Sequence, residues 1–182
     1  MRAKILMIVM VGALTACASA PKIRYYTLDM EPSGQAAPAV NLVVDQVRTT
    51  DALSRARIMI QASPTRIEYY AADQWVGALS ELVRQKLTAE FGPPVEGRRT
   101  LVVSVLVLSA EQVDVANGAA AKMKLSVSVR DSTMKRYQPP LLEKTYESFR
   151  AAPQATAAAV VEALSICAEE IAREIVSDTS DI

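Results

Sequence analysis

From Lys122 to Asp131 polar and apolar residues alternate without a break. Met123, Leu125, Val127 and Val129 fall on one face; Lys124, Ser126, Ser128 and Arg130 fall on the other. A period of two predicts a strand of an antiparallel sheet with one buried and one wet face. Residues 141–150 repeat the pattern, with Leu142, Lys144, Tyr146 and Ser148 opposite Glu143, Thr145, Glu147 and Phe149. Residues 100–113 predict a longer strand. Its stretch from Leu101 to Leu108 is almost continuously apolar, which implies a central strand covered on both faces. Shorter runs rich in β-branched and aromatic residues predict strands over 25–28, 41–47, 57–61 and 66–70, the last two joined by a hairpin loop at Ala62-Ser63-Pro64-Thr65.

Two segments change the period to 3.6. Trp75, Val76, Leu79, Leu82, Val83 and Leu87 recur at helical spacing, leaving Glu81, Arg84, Gln85 and Glu90 outward. With Asp73 as a cap and Phe91-Gly92-Pro93-Pro94 as a stop, they predict a helix over 73–90 whose row places Trp75 in the core. Ala157, Val160, Leu164, Cys167, Ile171 and Ile175 predict a second helix over 154–176, with Cys167 as a small buried hydrophobe. The order strands, helix, strands, helix predicts an α+β fold: a two-layer sandwich in which two main helices pack on a mostly antiparallel sheet.

The start of the chain follows neither period. Arg2 and Lys4 precede an apolar run that ends at Leu14-Thr15-Ala16-Cys17. A charged start, a core of roughly 7–15 apolar residues and small residues at a cut site make an export signal. A spanning helix needs about 20 apolar residues, more than Lys4 and Pro21 enclose. Leu-Thr-Ala-Cys matches the lipobox of bacterial lipoproteins, with cleavage between Ala16 and Cys17 and lipid attached to the Cys17 sulfur. The expected organisation is a signal peptide over 1–16, a lipidated N-terminus and short tether over 17–24, a single periplasmic domain over 25–178 and a tail over 179–182.

Composition narrows the chemistry. The 20 cations and 20 anions balance, and loss of residues 1–16 would remove two cations and leave a net charge of −2. That argues against nucleic acid as a partner and against a polybasic grip on anionic lipid, so that acyl chains would have to hold the membrane. There is no histidine, so the usual general base and zinc ligand are missing together with the Ser-His-Asp and Cys-His systems. No glycine-rich phosphate loop, CxxC pair or carboxylate cluster with metal spacing occurs, and neither a cofactor nor an enzymatic activity is expected. With Cys17 lipidated, Cys167 would be the one remaining thiol.

Four residues are candidates for contact with a partner or a lipid headgroup. Arg55 and Arg57 suit phosphate and carboxylate, although the residues favour the alternative of ion pairs with Asp51 or Asp45. Tyr25 and Tyr69 each belong to a tyrosine pair that places one ring on either face of a strand, so one ring of each pair can face outward as an interaction surface, although edge-strand packing explains them equally well.

The run Tyr25-Tyr26-Thr27-Leu28, the strand ending at Val47, Asp51-Ala52-Leu53-Ser54-Arg55-Ala56-Arg57-Ile58, Ile67-Glu68-Tyr69-Tyr70 and the following Trp75 together resemble the ABC-type transport auxiliary lipoprotein family, which includes the PqiC-type, MCE-associated envelope lipoproteins. The likeness spans nearly all of the chain beyond Cys17. It implies a non-enzymatic subunit working with an MCE-domain protein and an ABC permease and ATPase that move phospholipid or related apolar molecules. It also implies attachment to the membrane through Cys17. Ala18, in place of the Asp that retains lipoproteins in the inner membrane, points to the outer membrane, facing the periplasm. Phospholipid binding by the domain itself and assembly as a homo-oligomer are compatible with this picture. The alternative is a structural lipoprotein of a secretion or pilus apparatus.

Overall fold

The computed structural model describes residues 21–34, 39–135, 137–180 and 182. Seven strands form one mixed sheet: β1 (Arg24–Tyr26), β2 (Asn41–Thr49), β3 (Arg57–Ser63), β4 (Arg66–Trp75), β5 (Thr100–Val115), β6 (Gly118–Asp131) and β7 (Leu142–Ala152). A 3-10 turn (Asp51–Ser54) separates β2 from β3, helix α1 (Leu79–Phe91) follows β4, and helix α2 (Ala157–Thr179) ends the fold. The sheet runs β1-β4-β3-β5-β6-β7, with β2 also paired to β5. Antiparallel pairing dominates through the long β5–β6 and β6–β7 ladders. The pairs β1–β4, β2–β5 and β3–β5 are parallel.

β5 is central because it takes β2 along its first half and β3 along its second, with β6 on its other edge. Its two faces differ. Leu101, Val103, Val105 and Val107 are buried, whereas Val102, Ser104 and Leu106 stay half-exposed. The expectation of cover on both faces is therefore corrected: both helices lie on one face, where they also pack on each other, and the apolar run is a strand with one open side. The alternation in β6 places Met123, Leu125, Val127 and Val129 under the helices. α2 contributes Val160, Leu164, Cys167, Ile171 and Ile175 to the same core, and the Cys167 thiol is fully buried.

The first helix begins later than its apolar row predicts. β4 continues through Trp75, which is buried at 3% exposure beside Tyr26 of β1, and α1 starts at Leu79. Asp73 is a strand residue rather than a cap. Trp75 and Leu79 are both buried, so a step of four spans the strand end and the helix start and imitates helical period. The structural N-cap, Ala78, has no side-chain bond to offer. At the other end Gly92 takes φ +74 while its N–H bonds the Thr88 carbonyl, so the predicted stop holds within one residue.

Glu90 is a second correction, because it points inward. Lys86, with no exposed side-chain surface, pairs with Glu90 at 2.8 Å and with Glu169 of α2 at 3.0 Å, and donates to the Glu31 carbonyl at 2.8 Å. The Ser33 N–H and hydroxyl bond Glu90 as well, and the Asp29 N–H bonds the Ser165 hydroxyl on α2 at 2.9 Å. Residues 27–34 therefore form a strap across both helices, with Leu28 fully buried beneath it. At the far edge β7 is fastened to α2. Lys144 and the Tyr146 hydroxyl both bond Asp178 at 2.7 Å, and the Ser148 hydroxyl and Arg150 bond Glu170.

Candidate functional site

The face of the sheet away from the helices holds the residues singled out in the sequence, and strand register shows how they meet. Cross-strand partners point to the same side of a sheet. Tyr25, Gln74 and Arg57 form one row across β1, β4 and β3. Tyr26 and Trp75, one position on, face the core instead. A register shift between Arg57 and Met59 brings Tyr69 opposite Met59, on the side of Arg57. The Arg55 guanidinium lies 4.9 Å from the centre of the Tyr69 ring, and the Tyr69 hydroxyl donates to the Ala52 carbonyl at 3.0 Å. Buried Leu53 fixes the 3-10 turn that carries these contacts.

Tyr25, Arg55, Arg57 and Tyr69 thus share one end of one face. Neither arginine pairs with Asp51 or Asp45; among the described residues Arg55 stacks on Tyr69 and Arg57 makes no ion pair. Their charge is left available to an outside group. Ala16, Cys17 and Ala18 lie outside the described residues.

This end is braced from the core side by contacts the sequence did not mark. Arg24 grips Asp73 with two hydrogen bonds, Nε to Oδ1 at 2.6 Å and Nη2 to Oδ2 at 2.9 Å. Asp73 is 2% exposed, and the Arg24 hydrogen bonds hold its carboxyl below the usual range against the opposing effect of burial. Tyr26 adds a further bond to Asp73, and burial raises the Tyr26 hydroxyl. Burial, with Asp73 and Asp114 nearby, pushes Tyr70 up to about 12, and its hydroxyl bonds Gln112. An exposed Arg and an Asp 49 positions apart give no periodic signal, which is why this brace was invisible in the sequence.

The sign of the pH effect follows. Because the folded Asp73 carboxyl titrates lower than the unfolded one, its stabilisation is present above the ordinary carboxylate pKa and is lost as pH falls through the lowered value. Acidification below about pH 4 should therefore loosen β1 before the core opens. Hydrogen exchange at Tyr25 and Tyr26 should accelerate on acidification relative to β6, and in Asp73→Asn it should be fast already at neutral pH.

The same open face carries a polar trough alongside. Gln46, Ser104, Ser128 and Glu143 align across β2, β5, β6 and β7, and Arg48, Leu106, Ser126 and Thr145 align in the next row. Small side chains in the centre leave two adjoining depressions of about 360 and 200 Å³, which share Gln46 and Ser104. The polar half of the β6 alternation was readable; Ser104, set within the apolar run of β5, was the remaining clue. Among the described residues no group of three or more Asp, Glu, Cys or His is placed to hold a metal ion, and no helix is long and apolar enough to cross a membrane.

The sequence profile of the ABC-type transport auxiliary lipoprotein component family matches residues 26–176. This chain belongs to that family. A search of curated proteins returned no match. Among solved structures, the auxiliary lipoprotein is similar to a Xanthomonas campestris protein at 17% identity and a TM-score of 0.68, with 87% of this chain and 94% of that chain covered. An uncharacterised protein aligns at 15% identity with the same TM-score, covering 88% and 100% of the two chains. At these identities the likeness is one of fold, and it extends over nearly the whole of both neighbours.

Proposed function

We propose that this auxiliary lipoprotein is a non-enzymatic, outer-membrane-anchored docking subunit of an MCE/ABC-type system that moves phospholipid or related apolar molecules across the envelope. Family membership over residues 26–176 carries the reading. The geometry supports it through asymmetry: the helices cover one face of the sheet, and the other presents an open surface of strands β2, β5, β6 and β7 with a polar trough across it. A rigid, open sheet face suits a docking role, because its side chains are held in place by the strand ladders and lose little freedom on binding. Lipid on Cys17 would hold this surface at the membrane, and Ala18 would direct it to the outer one.

A photo-crosslinking residue at Ser104 or Ser128 is expected to capture a periplasmic MCE-domain protein or another transport component in cells, while one at Glu162, on the exposed side of α2, is not. Capture of no transport component from any position on the open face would remove the proposal. Ala18→Asp should move the protein from the outer-membrane to the inner-membrane fraction on a density gradient.

A further inference from the structure

The end of the sheet that holds Tyr25, Arg55, Arg57 and Tyr69 is also where the chain arrives from its N-terminal tether. Cys17 precedes Arg24 by seven residues, so even a fully extended tether keeps β1 within about 25 Å of the anchored sulfur. Whatever surface surrounds β1 is therefore held close to the bilayer.

That surface has the chemistry of a headgroup contact. Among the described residues Lys22, Arg55 and Arg57 are exposed and form no ion pair. The acids on β1, the 3-10 turn, β3 and β4 are Asp51, Glu68 and Asp73. Glu68 pairs with Arg66 at 3.0 Å, and Asp73 is buried under Arg24. Uncompensated positive charge therefore outweighs the single free carboxylate. Apolar groups surround it: Ile23 is 46% exposed, Tyr25 62% and Val76 62%. Val76 abuts β1 through its N–H bond to the Tyr26 carbonyl at 2.8 Å. Tyrosine rings partition to the membrane–water interface, and a guanidinium offers a planar fork of donors to phosphate. Stacking of Arg55 on Tyr69 limits the freedom it would lose on binding.

We infer that this end of the sheet is the bilayer-facing pole of the protein, where Arg55 and Arg57, flanked by Tyr25 and Val76, engage the phosphate groups of anionic phospholipid. The inference rests on the lipid anchor at Cys17 proposed above. The pole sets orientation and need not supply adhesion: once the tether confines the domain, a contact too weak to bind from solution is populated at high effective concentration. This reconciles the near-neutral chain with a cationic contact.

The test uses the full lipidated protein reconstituted into phosphatidylcholine vesicles with or without phosphatidylglycerol. A fluorophore is placed at Val76→Cys or, far from the pole, at Glu96→Cys; the buried Cys167 thiol does not compete for label. The expected result is strong shielding of the Val76 position from an aqueous quencher in phosphatidylglycerol vesicles and free quenching at position 96. Arg55→Gln and Arg57→Gln should each weaken the shielded state about fivefold. Equal quenching at both positions in both vesicles would overturn the inference. Shielding that appears only when a purified transport component is added would also overturn it and make the pole a protein-docking surface. Mass spectrometry reads the anchor separately: a chain without a diacylglyceryl adduct on Cys17 would refute the anchor and the orientation together, whereas a lipidated chain with an unshielded pole would refute the orientation alone.

Discussion

Lys86→Met is expected to destabilise the protein by about 3–5 kcal/mol, because it leaves the buried Glu90 carboxylate and its neighbour Glu169 without their cation. Burial opposes the charge on Lys86, yet the hydrogen bonds it donates to Glu90 and Glu169 outweigh it and hold its pKa above the ordinary value. Glu90 shows the complementary balance: burial raises its carboxyl, while Lys86 and Ser33 bring it down below the usual range. The pair is therefore charged in the folded state, and removing Lys86 takes away the cation that offsets the burial of the Glu90 carboxylate. Urea denaturation should show the loss as a lower midpoint. The double variant Lys86→Met/Glu90→Leu should regain much of it, since a buried pair can be replaced by apolar groups at little cost. If the single and double variants were equally destabilised, the lost pairing would not be the cause.

Trp75→Ala should cost a comparable amount, about 3–5 kcal/mol, through the cavity left in a well-packed core. Trp75 is 3% exposed where β4 meets β1, so its loss should also free the edge strand β1. As the chain has a single tryptophan, the milder variant Trp75→Phe removes the fluorescence signal, and unfolding of both variants is best followed by circular dichroism. A midpoint for Trp75→Ala within experimental scatter of the wild type would mean that this contact contributes nothing.

Trp75 also marks where sequence and structure part. Its burial was legible because large apolar residues at regular spacing seek the core. The element carrying it was not, because a strand end followed by a three-residue turn happened to preserve a step of four. The helix start had no cap to announce it, and Asp73, which looked like one, was committed to Arg24. Strand β6 and helix α2 were readable from period alone, since each repeats its pattern over about ten residues or more, whereas β5 was readable as an apolar run that hid its open face. Parallel pairing of β2 and β3 with β5 was not readable, as register between distant strands depends on tertiary fit. Of the candidate site, sequence supplied the four residues but not their convergence. A register shift in the β3–β4 ladder puts Tyr69 on the side of Arg57, and local spacing carries no trace of it.

The strap over residues 27–34 has a consequence for the order in which the molecule is completed. Its Asp29 N–H reaches Ser165 across 136 positions, and its Glu31 carbonyl meets Lys86, which is itself held by Glu169. The strap therefore has no seat until helix α2 is in place. Domains build outward from their earliest segments as the chain emerges, but here the earliest segment must wait for the latest one. A truncated chain ending before α2 would keep Leu28 and the side of α1 that faces α2 uncovered, so closure of the strap reports that α2 has docked.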